Sequence, residues 1–225
     1  MDQQPKSVLC FGDSNTWGFE PATAVRYPWE VRWPGVLQRE LGGGFRVIEE
    51  GLNGRTTVRD DPAVAGRNGK DYLVPCLNSH QPLDYIILFL GTNDLKKCFS
   101  VSAKEIADGV GILARIAQAS AIGPGGRMPT TLILAPPPLG RLTGYAEAFE
   151  GGTAKSLELG ARIREIAAEL ECAFLDTAEV IATSDIDGVH FEPAAHETLG
   201  REVTRRIITL LQKGNRPQMN TDEHR

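Results

Sequence analysis

Residues 85–90 read YIILFL, a run in which every side chain is apolar. Such a run is typical of a central strand in a parallel sheet, because helices cover both faces of that sheet and leave no positions facing solvent. On either side of this run, the chain alternates short apolar segments with segments of helical periodicity. This alternation predicts an α/β fold built on a doubly wound parallel sheet.

Further elements can be predicted along the chain in both directions from this run. Short apolar runs predict four more strands, at residues 7–11, 45–48, 131–135 and 173–175. Helical spacing, capping residues and terminal glycine or proline predict helices at residues 33–41, 101–121, 153–170 and 193–211. No internal repeat or low-complexity linker divides the chain. We therefore expect one domain over residues 1–225, with its core at about residues 7–211 and a flexible tail at residues 213–225.

Composition and charge disfavour several classes of function. The net charge is −5 and no run of lysine or arginine exceeds two residues, which argues against nucleic-acid and anionic-membrane partners. No apolar run approaches the length of a membrane span, and the polar residues 1–6 do not have the pattern of a signal peptide. The four cysteines form no CxxC motif and are typical of reduced thiols, so we expect a cytoplasmic protein.

Four short segments contain polar residues of the kinds that carry chemistry. They are GDSN at residues 12–15, GLNGR at 51–55, GTND at 91–94 and DGVH at 187–190. The first three follow predicted strands, and the fourth precedes the last predicted helix. Since ligands of doubly wound sheets bind at the carboxyl ends of the strands, we expect these segments to meet at one edge of the sheet.

Together these segments supply what an acyl-transfer site needs: a nucleophile, a base, a group that orients the base, and donors for the oxyanion. Ser14 follows a strand end and is the candidate nucleophile, and His190 is the candidate base. Asp187 lies three residues before His190, close enough in a simple turn to orient its imidazole. The backbone N–H groups of Ser14 and Gly54 and the side-chain amide of Asn93 are the candidate oxyanion donors.

Each segment alone also has an ordinary structural interpretation. A Gly-Asp-Ser sequence is usually a turn, Gly-Thr-Asn-Asp is more often held by its own side chains, and an Asp-x-x-His pair is more often a surface hydrogen bond. Their occurrence in this order at successive strand ends favours a catalytic triad of Ser14, Asp187 and His190. Asp185 is an alternative orienting carboxylate, although the spacing favours Asp187.

The chain resembles the SGNH (GDSL-type) hydrolases in the sequences GDSNTWG, EEGLNGRTT, LGTND and DGVHF, which begin at residues 12, 49, 90 and 187. The similarity extends over about residues 8–211 and is specific to a branch of small bacterial arylesterases and acyltransferases. It implies a flavodoxin-like three-layer α/β/α fold with a parallel sheet, the SGNH hydrolase fold, and it implies the triad and oxyanion roles given above. Some acyltransferase members have alanine where this chain has Gly54, which leaves the balance of transfer and hydrolysis open.

The activity implied by the resemblance is hydrolysis of short-chain, acetyl-type aryl and alkyl esters through an acyl-enzyme. Some members also transfer the acyl group to alcohols or to hydrogen peroxide. The resemblance further implies a small-molecule ester substrate, no cofactor and a homo-oligomer. A metal is not expected, because His190 and His196 lack a third ligand and no HExxH or CxxC motif occurs.

Two residues and two segments are candidates for substrate binding. Trp17 follows the nucleophile by three residues and is a candidate wall of the acyl pocket, with a core or subunit contact as the alternative. Asn53, which precedes Gly54, is the second candidate. Residues 20–30 and 140–152 have the composition of insertions and carry aromatic side chains, and such segments often form subunit contacts or the walls of an entrance.

Two other kinds of function stay open on the sequence alone. One is a carbohydrate deacetylase, or a lysophospholipase or thioesterase, of the same superfamily. A polar cleft would favour sugars and an aliphatic lining would favour lipids. The other is a flavodoxin-like binding module without catalysis, which would require a phosphate-binding first loop. Asp13 argues against that module, because its negative charge repels phosphate.

Overall fold

The computed structural model describes residues 4–214, and they contain a sheet of five strands. The strands are β1 (Lys6–Gly12), β2 (Phe45–Gly51), β3 (Tyr85–Phe89), β4 (Thr130–Ala135) and β5 (Ala173–Asp176). Their order across the sheet is β2-β1-β3-β4-β5, and every neighbouring pair is parallel. The predicted parallel sheet is therefore confirmed.

Helices flank the sheet on both faces. Within residues 4–214 they are α1 (Ser14–Trp17), α2 (Trp33–Leu41), α3 (Gly69–His80), α4 (Ala103–Ala119), α5 (Gly152–Glu169) and α6 (Pro193–Gly214). Side chains of α3, α4 and α5 share one buried core with one face of the sheet, whereas α2 and α6 share a second core with the other face. This is the three-layer α/β/α fold that the resemblance implied. In this described part of the chain, no helix is both long enough and apolar enough to span a membrane.

Strand β3 occupies the centre of the sheet and is buried along its whole length. Its side chains alternate between the two cores. Ile86 and Leu88 lie in the core with α3, α4 and α5, whereas Ile87 and Phe89 lie in the core with α2 and α6. Neither face of the strand meets water, which explains why the sequence has no polar side chain here.

Two differences from the predicted elements have local causes. Helix α3 is missing from the predicted elements, because Pro75 interrupts its interior and its apolar stripe is weak. Asn68 starts this helix by accepting a hydrogen bond of 3.1 Å from the N–H of Lys70. Helix α6 continues through Gly214, so the start of the predicted flexible tail is helical. The rest of that predicted tail, residues 215–225, lies outside the described residues.

Replacing Ile86 with alanine should destabilise the fold strongly, since this side chain is fully buried in the central strand. The lost methylene groups and the cavity they leave should lower the free energy of unfolding by about 2–5 kcal/mol. Ile112→Ala is the matched control: Ile112 lies on α4 with 39% of its surface exposed, and its loss should cost less than about 1 kcal/mol. Urea unfolding followed by circular dichroism measures both values, and equal losses would contradict this description of the core.

Candidate active site

Ser14 lies at the carboxyl end of β1, where the chain turns directly into helix α1. Gly12 ends the strand and has no space for a side chain, since a Cβ there would lie 2.0 Å from Thr16 Oγ1. Asp13 caps the helix, because its Oδ1 atom accepts a hydrogen bond of 2.9 Å from the N–H of Asn15. The turn therefore holds Ser14 as the first residue of α1, at the edge of the sheet.

His190 and Asp187 lie in the loop before α6 and reach the same edge. The Nε2 atom of His190 is 3.0 Å from Ser14 Oγ, and its Nδ1 atom is 2.6 Å from Asp187 Oδ2. The second carboxylate oxygen, Asp187 Oδ1, accepts N–H hydrogen bonds from Val189 at 2.8 Å and from His190 at 2.9 Å. Ser14, Asp187 and His190 are all buried. The structure thus brings the three triad candidates into one hydrogen-bonded chain.

The contacts of Asp187 stabilise its negative charge. Partial burial raises the pKa of this carboxyl, but the hydrogen bonds from the His190 ring and from two backbone N–H groups lower it by more, so the pKa lies below its ordinary value. Asp187 is therefore ionised at neutral pH. A carboxylate fixed at Nδ1 holds that nitrogen as a donor and leaves Nε2 facing Ser14 as the proton acceptor.

Asn93 and Gly54 reach the site from two other strand ends. Asn93 follows β3, and its Nδ2 atom donates to the backbone oxygen of Arg55 at 3.1 Å and lies 3.5 Å from Asp13 Oδ2. Gly54 lies in the loop after β2 with a φ of +77°, a conformation that favours glycine. Both residues line the same cleft as Ser14. This arrangement can present hydrogen-bond donors to an oxyanion.

Two buried polar residues tie the loops after β2 and β3 to their surroundings. Asp94 accepts hydrogen bonds from the N–H of Thr57 at 2.9 Å and from its hydroxyl at 2.6 Å. Arg55 donates from Nη1 to the backbone oxygen of Gly12 at 2.8 Å, and its guanidinium carbon lies 4.2 Å from the centre of the Phe11 ring. Burial raises the pKa of Asp94 to about 6. These contacts fix the loops that carry the oxyanion candidates.

Ser14 and the His190 imidazole line a cleft of about 990 Å³. Part of its wall is aromatic. Phe19 stacks on the His190 ring at a centroid distance of 4.1 Å, and Tyr145 meets the same ring edge-on at 5.8 Å. Another part of the wall is polar and includes Asp61 and Lys96. The cleft therefore offers both an aromatic surface and charged groups to a ligand.

Only one of the two predicted substrate-binding residues lies in the cleft. Asn53 lines the cleft, whereas Trp17 does not. The Trp17 ring packs instead against Arg26, whose guanidinium carbon lies 5.1 Å from the ring centre. Of the two aromatic residues near α1, Phe19 and not Trp17 contacts the imidazole, and it lies two residues further along the chain. Helix α1 is a single turn that ends at Trp17. The distance in sequence from Ser14 therefore does not predict whether the Trp17 ring or the Phe19 ring lies against the imidazole.

Of the two predicted entrance segments, residues 140–152 line the cleft and residues 20–30 do not. Residues 140–152 supply Tyr145 and Phe149 to the cleft wall. The alternative carboxylate, Asp185, is exposed to solvent. The sequence reasoning gave no role to Arg55 or to Lys96, although Arg55 belongs to the quoted segment GLNGR and Lys96 follows GTND by two residues.

One group of potential metal ligands lies apart from this cleft. Within residues 4–214, Glu50, Cys76 and His80 form one group whose ligand atoms lie within 4.8 Å of one another. None of the three lines the cleft that contains Ser14. Burial and the charge of Glu50 raise the pKa of the Cys76 thiol to about 12. The expectation that the catalytic site needs no metal stays a prediction.

Comparison with known proteins identifies close structural relatives. The model of the GDSL-like lipase/acylhydrolase family matches residues 10–198. A carbohydrate acetylesterase from Sinorhizobium meliloti is 40% identical, with 91% of this chain and 99% of that chain covered and a TM-score of 0.88. The native aryl esterase from M. smegmatis is 41% identical, with 91% and 99% covered and a TM-score of 0.87.

A more distant structure shares the fold alone. A member of the lipolytic protein G-D-S-L family from Veillonella parvula is 15% identical over 89% of this chain and 97% of that chain, with a TM-score of 0.65. Among curated proteins, none matches this chain. The family model covers most of the chain, from the strand before Ser14 to the helix after His190, and the chain therefore belongs to the GDSL-like lipase/acylhydrolase family.

Proposed function

We propose that this carboxylic ester hydrolase cleaves short-chain aryl and alkyl esters through an acyl-enzyme formed on Ser14. The observation that carries the proposal is the hydrogen-bonded chain from Ser14 through His190 to Asp187, next to a cleft that Gly54 and Asn93 also line. A serine hydroxyl paired with an oriented imidazole is an activated nucleophile. Nearby N–H donors stabilise the anion that its attack creates.

The first half of the reaction forms the acyl-enzyme. Ser14 Oγ attacks the ester carbonyl carbon while its proton passes to His190 Nε2. The carbonyl oxygen becomes an oxyanion, to which the N–H groups of Ser14 and Gly54 and the Asn93 amide donate. One such donor contributes about 3–4 kcal/mol of transition-state stabilisation. The tetrahedral intermediate then collapses, the ester C–O bond breaks, and the alcohol leaves with the proton from His190.

The second half of the reaction releases the acid. A water molecule gives a proton to His190 Nε2 and attacks the acyl carbon, and collapse of this second intermediate returns the proton to Ser14 Oγ. An alcohol or hydrogen peroxide that replaces this water would receive the acyl group instead. Acyl transfer is therefore part of the proposal, and it rests on the resemblance to the arylesterase and acyltransferase branch.

The aromatic part of the cleft supports an aryl leaving group. His190 must reach the leaving oxygen to protonate it, so the alcohol part of the ester lies beside the imidazole. Phe19 and Tyr145 pack on that imidazole and present aromatic surface there. One relative supports an aryl leaving group, since it is described as an aryl esterase, whereas the relative described as a carbohydrate acetylesterase supports an acetyl group.

The proposal also includes a cytoplasmic location and a homo-oligomeric assembly. All four cysteines are unpaired, which suits the reducing environment of the cytoplasm. A homo-oligomer is proposed on the resemblance to the same branch.

Ser14→Ala should lower kcat for p-nitrophenyl acetate by about 10⁴-fold or more, because it removes the hydroxyl on which the acyl-enzyme forms. Circular dichroism should show an unchanged fold. Ser79→Ala is the matched control, since Ser79 is an exposed serine on α3, and it should keep full activity. A fluorophosphonate probe followed by peptide mass spectrometry should label Ser14 in the wild type, and labelling at another serine would contradict the assignment.

Asp187→Asn should lower kcat by about 10⁴-fold with little change in KM, because the imidazole loses its charged, orienting partner. Asp185→Asn is the control, since this neighbouring carboxylate is exposed, and it should behave like the wild type. Steady-state kinetics with p-nitrophenyl acetate measures both variants. A mild effect at Asp187 with a severe one at Asp185 would show that the wrong carboxylate had been chosen.

A series of p-nitrophenyl esters tests the proposed acyl group. Acetate and propionate esters should be hydrolysed with higher kcat/KM than butyrate, and octanoate should be the poorest substrate. Each methylene that the acyl site does not accommodate should cost roughly 1–3 kcal/mol of discrimination. The leaving group is the same throughout, so differences report on the acyl chain. A preference for octanoate would instead favour the lysophospholipase alternative.

A further inference from the structure

The cleft contains an ion pair that the proposed mechanism does not use. Lys96 Nζ lies 3.2 Å from Asp61 Oδ2, and both residues line the cleft together with Ser14 and His190. The pair is largely sheltered from water, since 22% of the Lys96 side chain and 7% of the Asp61 side chain are exposed. Charged groups in such a position offer stronger hydrogen bonds than they would at an open surface.

Lys96 is fixed at the edge of the candidate oxyanion site. Its N–H donates to the backbone oxygen of Asn93 at 3.2 Å, so it closes the turn that carries the Asn93 side chain. Its ammonium nitrogen lies 3.9 Å from the point where a Cβ of Gly54 would stand. Arg67 Nε is 3.6 Å from the same point, but Arg67 does not line the cleft. A group bound by Lys96 would therefore lie next to the reacting carbonyl.

Asp61 is held in place by its own loop. Its Oδ1 atom accepts N–H hydrogen bonds from Ala63 at 2.9 Å and from Val64 at 3.2 Å, which directs Oδ2 to Lys96. Burial raises the pKa of Asp61, but these N–H groups and the ammonium lower it by more, so the carboxyl is ionised at neutral pH. An ammonium carries three hydrogens and a carboxylate oxygen two lone pairs. While it is paired, Lys96 can therefore still donate a hydrogen bond to a ligand, and Asp61 can still accept one.

We propose that the Lys96–Asp61 pair binds a hydroxyl group of the ester substrate. A hydroxyl can accept a hydrogen bond from Lys96 and donate one to Asp61 at the same time, whereas a carboxylate is repelled by Asp61 and an alkyl group satisfies neither charge. The hydroxyl belongs to the alcohol part in esters of polyols and sugars, and to the acyl part in esters of hydroxy acids. This inference rests on the proposed esterase function and makes the pair a determinant of specificity.

Three ethyl or glyceryl esters test the inference, with acid release measured by titration. Ethyl acetate carries no free hydroxyl, glycerol monoacetate carries hydroxyls in the alcohol part, and ethyl glycolate carries one in the acyl part. Lys96→Met should lower kcat/KM for at least one hydroxylated ester by about 10- to 100-fold, as expected for loss of a hydrogen bond to a charged group, and should leave ethyl acetate within about twofold. The ester affected identifies the part of the substrate that the pair contacts.

Asp61→Asn is a second variant, in which the side chain keeps nearly the same shape but loses its negative charge. It should lower kcat/KM for the same hydroxylated ester and leave kcat/KM for ethyl acetate nearly unchanged. Lys104→Met is the matched control, because Lys104 forms a comparable pair with Asp108 at 2.8 Å on the exposed side of α4. That control should leave all three esters unchanged.

Several outcomes would overturn the inference. An equal loss for all three esters in Lys96→Met would mean that the ammonium acts on the oxyanion or on the fold. No loss for either hydroxylated ester would mean that the pair does not contact a hydroxyl. Ethyl hydrogen succinate serves as a fourth, anionic ester, and a loss confined to it would mean that the pair binds an anion. If the wild type does not cleave even ethyl acetate, the proposed function itself fails, and the inference falls with it.

Discussion

The edge of the sheet that carries Ser14 depends on glycine, which has no side chain, at the ends of two neighbouring strands. Gly12 ends β1, Gly51 ends β2, and the two residues are partners in the parallel register. A Cβ on Gly51 would lie 2.1 Å from the backbone nitrogen of Trp17, and a Cβ on Gly12 would lie 2.0 Å from Thr16 Oγ1. Helix α1 therefore rests directly on the ends of both strands. Ser14 reaches the imidazole only because this close approach is possible.

Around this turn, buried polar contacts hold the loops in place. Asp13 and Asp94 are both buried, and burial raises the pKa of each carboxyl to about 6. Asp13 accepts an N–H hydrogen bond from Asn15, and Asp94 accepts two hydrogen bonds from Thr57. Hydrogen bonds are directional, and breaking one of these would leave a buried donor without a partner. The Asp13 contact therefore fixes the turn after β1, and the Asp94 contacts fix the separation of the loops after β2 and β3.

The parts of the protein that were predicted from sequence are those that depend on local patterns. The central strand follows from an apolar run, and Asp187 lies close to His190 because a short turn joins them. Parallel pairing then brings Ser14 and Asn93 to one edge, since both follow strands that are neighbours in the sheet. The parts that were not predicted depend on how loops fold over this edge. Phe19 and not Trp17 contacts the imidazole, which no spacing rule specifies.

The hydrogen bond between Ser14 and His190 joins residues that are 176 positions apart in the chain. During synthesis Ser14, the proposed nucleophile, leaves the ribosome early, whereas His190, its proposed base, follows after all five strands. Each parallel pairing also requires closure of a long loop, so the sheet forms through contacts that are distant in sequence. An incomplete nascent chain therefore holds Ser14 without its imidazole partner, and the hydrogen bond that would activate it can form only after residue 190 has been added.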